Sequence, residues 1–318
     1  MNQSREVFSD VFAVYNFLTK EKGWSFGFHT PPQFEAMTLY GNRMAAAPMP
    51  MSPLFRGENC YHEKCLPSLF RREWTAFEML ERQVQLEDFR QILQVNPEIR
   101  EMEEGGLEVN YNGLAQHYGI ETNVLDLTNS FLVAAFFATT AYDSLIDVYR
   151  PIVNAVSYGV IYFFPTGDFL NFGHEAPIWP IGMEALRRPG EQRGFGMEMD
   201  DRHRDLNCYS GAHLFRFWHN AQASMRIWEM THGGYDLFPY DPMTEKVRNM
   251  RKYRLYSEQG LRTAYENTEG FEMSYEDVRL ALKDDGCTFV DKLPFAYTEK
   301  EIVYINGLFR KLYPGNFS

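Results

Sequence analysis

Apolar positions set a pattern from the start of the chain. Val7, Phe8, Val11, Phe12, Val14, Tyr15, Phe17 and Leu18 are spaced for a short amphipathic helix within residues 1–20 that covers a core surface. Gly23–Pro53 is rich in Gly, Pro and Met and predicts irregular chain. Leu54-Phe55-Arg56-Gly57-Glu58 then reads as a short strand with Arg56 at its tip, where Gly57 lets the backbone turn or a ligand come close. Glu73–Gln94 is a helix, with Phe77, Leu80, Val84, Phe89, Ile92 and Leu93 at three- and four-residue steps. An acidic, Gly-ended connection follows over Glu101–Gly106.

Leu114–Thr140 changes character midway. Its first half carries Gln116, His117, Tyr118, Thr122, Asp126 and Thr128, and its second is an apolar helix over Phe131–Ala138. Asp126, Thr128 and Asn129 immediately precede that helix and suit N-caps. Val153–Pro165 is the strongest strand signal, dense in Val, Ile, Tyr and Phe. Residues 166–187 read as loop, Arg188–Met199 as a strand entered through a Gly-Pro turn, and Leu214–Trp218 as another strand. Ala221–Thr231 is a helix stopped by Gly233-Gly234, and Leu237–Pro242 ends that unit. Tyr275–Lys283 and Glu299–Leu312 are further helices, and there is no internal repeat or low-complexity tract.

The expected class is α+β. A small, mostly antiparallel sheet carries Leu54–Arg56, Val160–Phe164 and Phe195–Glu198 and is wrapped by helices. Three segments are expected: an N-terminal helix and irregular stretch over 1–50, a domain over 51–245, and a helical C-terminal extension over 246–318.

Charge narrows the function classes. A net charge of −12 gives no bulk attraction to phosphates, so coating a nucleic acid is disfavoured, while a local basic pocket remains open. No stretch reaches 18 apolar residues and the first twenty lack a secretory h-region, so a cytoplasmic protein off the membrane is expected. Its four Cys are then free thiols. Aromatics reach 16%, which implies large buried rings first and an interaction surface second.

Several stretches together resemble the FRG domain family. Phe55-Arg56-Gly57 is its naming tripeptide, and Pro67-Ser68-Leu69-Phe70-Arg71, QHYGIETNVLDLT at 116–128 and FLVAAFFA at 131–138 follow in the family's order. Arg188 with Gln192, Gly194 and Phe195 matches its late strand, with Arg254 and Gln259-Gly260 as a rival placement, and Leu237-Phe238-Pro239 matches its close. Asn123, Leu127 and Glu58 depart from the family's basic residue, Trp and Gln, so an anion contact from position 123 is lost.

The resemblance implies a role in bacterial or phage conflict. A looser likeness to ADP-ribosyltransferases implies NAD as substrate. In that reading Arg56-Gly57 hold the cofactor phosphate or ribose, and Phe136-Phe137-Ala138 match the Y-F-A element. His117 and Tyr118 shape the nicotinamide pocket, beside Thr122, Asp126 and Thr128, and Gln192 or Glu191 positions the attacked ribose or the acceptor. No metal is needed, because transfer relies on electrostatic support of an oxocarbenium-like state.

Each candidate also has a plainer use. Arg56 can be buried against Asp126 or Glu58, His117 can be a satisfied structural histidine, and Thr128 can be a helix cap. Cys60, His62 and Cys65 lack zinc spacing, and Ser68 and Ser130 lack a nucleophile elbow. Lys246, Arg248, Arg251, Lys252 and Arg254 read as a solvated helix face. The leading expectation is a nucleotide-binding effector with ADP-ribosyltransferase-like chemistry. The alternative is a non-catalytic sensor or protein-interaction module, with its partner met through aromatic surface or the C-terminal helices. A third is an RNA nuclease acting through His117.

Overall fold

The computed structural model describes residues 2–29, 33–38, 43–154, 156–165, 177–183, 185–199, 205–268 and 272–312, with side chains from 7 to 306. Thirteen strands and eleven α-helices follow one another among them. The first part runs β1 Asn2–Phe8, α1 Val11–Asn16, β2 Gln33–Thr38, β3 Met44–Met49, β4 Leu54–Glu58, α2 Ala76–Gln94, α3 Pro97–Glu104, α4 Tyr111–His117, β5 Val124–Thr128 and α5 Phe131–Thr139. Next come β6 Thr140–Asp143, β7 Val148–Pro151, β8 Tyr158–Phe164, β9 Ile178–Pro180, α6 Arg187–Glu191, β10 Gly194–Glu198, β11 His213–Trp218 and α7 Ala221–Met230. The chain ends with α8 Pro242–Tyr253, β12 Leu255–Ser257, α9 Glu258–Asn267, α10 Tyr275–Asp284, β13 Thr288–Val290 and α11 Glu299–Leu312.

These elements form two compact units, one of residues 1–67 with 123–239 and one of 68–122 with 240–318. The segment expected as one domain over 51–245 therefore contributes to both.

The first unit is built on a seven-stranded sheet ordered β1-β11-β8-β4-β5-β10-β9. Only β1–β11 is parallel, so the sheet is mostly antiparallel and the class is α+β. One face of β4, β8 and β11 presents Phe55, Ile161, Phe163, Phe215 and Phe217, which pack with α5 and α1 into an aromatic core. Helix α5 is buried on nearly all sides, as its unbroken apolar run requires. Gly57 sits where β4 meets α5, and a β-carbon there would overlap the Ala134 carbonyl. The glycine thus admits a helix backbone, and no turn occurs at it.

Several expectations give way. Residues 2–8 form an edge strand along β11 rather than the start of a helix, and only Val11–Asn16 is α-helical. Phe8 is held by Phe17 and Phe215 at 5.1 and 6.1 Å, contacts that its own spacing does not reveal. Within the stretch expected to be irregular, β2 and β3 pair antiparallel, using backbone groups that Ala and Met side chains do not advertise. Strand β4 continues to Glu58, so Arg56 is mid-strand rather than at a tip. The Arg188–Met199 strand shrinks to Gly194–Glu198, because Arg187–Glu191 coils into α6. Of the loop expected over 166–187, Ile178–Pro180 is a strand, whereas 166–176 and 184 lie outside the described residues.

The second unit is helical, with the parallel pair β12–β13 beside it. Helix α2 opens on a capping box between Thr75 and Glu78 and packs against α9. The basic run over 246–254 is a solvated face only in part: Arg248, Arg251 and Lys252 are exposed, whereas Lys246 and Arg254 are drawn into ion pairs. Lys246 is buried and reaches Glu301 at 2.8 Å, Arg251 pairs with Glu121 at 3.0 Å, and Arg254 grips Glu81 in a fork at 2.9 and 2.7 Å.

Candidate functional site

Strand alternation places Arg56. Phe55 points into the aromatic core, so its neighbour emerges on the opposite face, where it sits across from Tyr162. Its side chain is 11% exposed. Nε donates to Glu58 Oε1 at 2.8 Å, Nη2 donates to the same oxygen, and Nη1 donates to the backbone carbonyl of Asp126 at 2.7 Å. Burial is the largest single influence and opposes the charge, but Glu58, Cys65 and Asp126 together outweigh it and hold the group above its ordinary range. The acid that pairs with Arg56 is therefore Glu58, and Asp126 contributes its main chain.

A polar layer surrounds this pair. Tyr162 donates to Asn207 Oδ1 at 2.9 Å, and Asn207 donates to the carbonyls of His62 and Glu63 at 3.0 Å, pinning the loop after β4. Cys65 lies 3.8 Å from Glu58, and Cys60 lies 3.3 Å from His62. Burial, and then Glu58, push the Cys60 thiol up, so it is protonated at neutral pH and a poor nucleophile. No group of three or more His, Cys, Asp or Glu among the described residues is arranged to hold a metal ion.

The other candidates in this unit form a second linked set. Thr128 donates to the Gln192 carbonyl at 2.8 Å and accepts from Ser130 N. Ser130, rather than Asp126, Thr128 or Asn129, is the N-cap of α5 and accepts from Val133 N. Asn129, between β5 and the cap, instead donates to the carbonyls of Pro48 and Pro50. The Gln192 amide is buried and donates to the Leu237 carbonyl at 3.0 Å, while Arg188 stacks over Phe238 at 4.9 Å. Two of the motif segments thus meet. Glu191 is half-buried, and burial raises its carboxyl above the usual range, with Arg187 pulling it back.

His117, Tyr118 and Thr122 belong to the second unit. Buried His117 ends α4. The Tyr118 ring packs on Phe89 at 5.7 Å, and its hydroxyl donates to Asp241. Ser68 donates to Gln116 at 2.8 Å, Thr122 donates to the same Gln116 oxygen at 3.0 Å, and the Ser68 hydroxyl accepts from Thr122 N. The PSLFR and QHYGIET stretches are fastened together by these bonds. Of the rival late placement, Arg254 is the ion-paired residue described above and Gln259 is exposed.

What defines this chain is an α+β unit whose central strand carries a half-buried Arg-Gly pair. The family model of the FRG domain matches residues 52–145, which span that strand, β5 and α5, and the chain carries an FRG domain there. No curated protein and no solved structure matches it.

Sequence reasoning singled out Arg56, Asp126 and Gln192 but missed Tyr162, Asn207 and Asp241, whose partners are far away in sequence. It also passed over Arg216, which a visible signal marks: a charged residue between two phenylalanines in an alternating strand.

Proposed function

We propose that this protein is a non-catalytic sensor or interaction module, in which the FRG tripeptide builds the fold. The carrying observation is the Arg56 guanidinium, largely enclosed and bound to Glu58 and the Asp126 carbonyl. Gly57 is likewise taken up by the approach of α5. An arginine that joins two strands and neutralises its own acid has little left to offer a dinucleotide. For a partner, the unit exposes the β6–β7 hairpin, where Tyr142, Ile146, Val148 and a 93% exposed Leu145 stand together.

The second reading is ADP-ribosyltransferase-like transfer from NAD, within a conflict system. One observation favours it: half-buried Glu191, its carboxyl raised by burial, adjoins Gln192. Here Arg56 would bind the cofactor and Gln192 would orient the ribose.

Nicotinamide release from NAD separates the two readings when measured on wild type and on Arg56→Lys. The module reading expects no release above buffer and a lower melting temperature for the variant. Release by the wild type that disappears in a folded Arg56→Lys would overturn it.

A further inference from the structure

We propose that the sheet face around Arg216 and Trp218 binds a nucleotide, with its phosphate on Arg216 and its base on Trp218. Strand β11 alternates, sending Phe215 and Phe217 into the aromatic core. Arg216 and Trp218 therefore share the opposite face, separated by roughly 7 Å at the usual strand rise. Their cross-strand partners on β8 are Val160 and Tyr158.

Arg216 is half-buried and carries a full charge into the sheet face. Among the described residues it has no carboxylate partner, and its Nε is buried without an acceptor. Its guanidinium lies over the Tyr61 ring at 4.3 Å. Stacking uses the face of a guanidinium and leaves its in-plane N–H groups pointing outward, in the fork that a phosphate accepts. A partly desolvated cation without an anion is costly, and a bound phosphate relieves that cost.

The aromatic half is also in place. Trp218 is 39% exposed, and its ring is braced by Tyr158 at 4.1 Å between centroids. A braced, exposed indole is a stacking platform for a base. Local charge favours an anion despite the acidic chain. Glu58 lies in the same cross-strand row, two strands over, but Arg56 already neutralises it. The chemistry fits a free nucleotide or the terminal nucleotide of a single strand.

Isothermal titration of the full chain tests this, with AMP, adenosine, inorganic phosphate and an eight-nucleotide single-stranded RNA as probes. AMP is expected to bind at least tenfold more tightly than adenosine or phosphate. Arg216→Gln should weaken AMP at least tenfold and leave adenosine unchanged, whereas Trp218→Ala should weaken both. Arg216→Lys, which keeps the charge and the aliphatic packing, should fall between wild type and Arg216→Gln and guards against misfolding. RNA binding equal to AMP assigns the site to free nucleotide; tighter binding with a steeper salt dependence, still lost in Arg216→Gln, assigns it to a strand end. Absence of AMP binding at millimolar concentration, or AMP affinity unchanged in Arg216→Gln and Trp218→Ala, overturns the proposal. None of these readouts involves Arg56 or NAD cleavage, so the site stands or falls independently of the module reading.

Discussion

Arg56 donates to the main-chain carbonyl of Asp126, seventy residues further along, and so ties β4 to its neighbour β5 by a side chain as well as by the ladder. The same guanidinium holds Glu58 on its own strand. One buried cation therefore supports two strands and one acid.

Arg56→Ala should strand Glu58 beside the sheet and leave the Asp126 carbonyl without this donor. Removing one partner of a buried ion pair destabilises by roughly 3–5 kcal/mol, and the remaining exposure of this pair places the effect near the lower end. Arg56→Lys should recover part of it, since a single ammonium cannot make both connections. Urea unfolding midpoints measure the difference; equal stability of all three proteins would remove the structural role.

Gly57→Ala should also be damaging although it adds one methyl group. That methyl would meet the Ala134 carbonyl, which is helix backbone and cannot swing aside. Separation of β4 from α5 follows, with an expected loss of about 2 kcal/mol or more. Thermal melting and amide exchange in α5 provide the check.

Asp88 gives the second unit a pH dependence of unusual sign. Its buried carboxylate accepts from Ser257 N at 2.8 Å and from the Ser257 hydroxyl, at the start of α9. Burial pushes the carboxyl up to about 6, with the Ser257 hydrogen bonds holding it back. The folded value lies above the unfolded one, so this group's contribution to stability is complete below the ordinary range and is lost as pH rises toward 6. Asp88→Asn can still accept from Ser257 N and donate to the hydroxyl. It should be more stable than wild type at pH 7.5, by roughly 1–3 kcal/mol, and lose that advantage near pH 4. A constant difference across this range would show that Asp88 does not titrate there.

His219 acts oppositely in the first unit. It is buried and its Nε2 donates to the Asn59 carbonyl at 2.8 Å. Burial lowers its pKa from 6.5, with the Asn59 bond opposing. The unfolded chain then takes up a proton that the folded one refuses, so stability is unaffected above pH 6.5 and falls below it. His219→Gln, which retains a donor for Asn59, should flatten the stability profile between about pH 5 and 6.5. Chemical unfolding across that interval decides; parallel wild-type and variant profiles would exclude His219 as the source.

Legibility followed the range of the interactions. Strands β4, β8 and β11 and helices α2, α5 and α7 were readable because their residues alternate or recur at the period of the element they form. Edge strand β1 was not, since its partner lies some two hundred residues later and its apolar residues suit a helix equally well. The β2–β3 pair was missed for a related reason: an Ala- and Met-rich ribbon owes its pairing to backbone groups rather than to a side-chain period.

The motifs behaved in the same way. Local pattern by itself determined that Arg56 would lie on a strand beside a glycine, that an apolar helix would follow Thr128, and that the sheet would be rich in buried rings. Only the tertiary structure decided that Glu58 neutralises Arg56, that Ser130 caps α5, that Gly57 admits a helix backbone, and that Arg216 stacks on Tyr61. Backbone preference is set within a few residues of chain. The partner of a charged side chain is set by strand register and by which distant segment packs alongside.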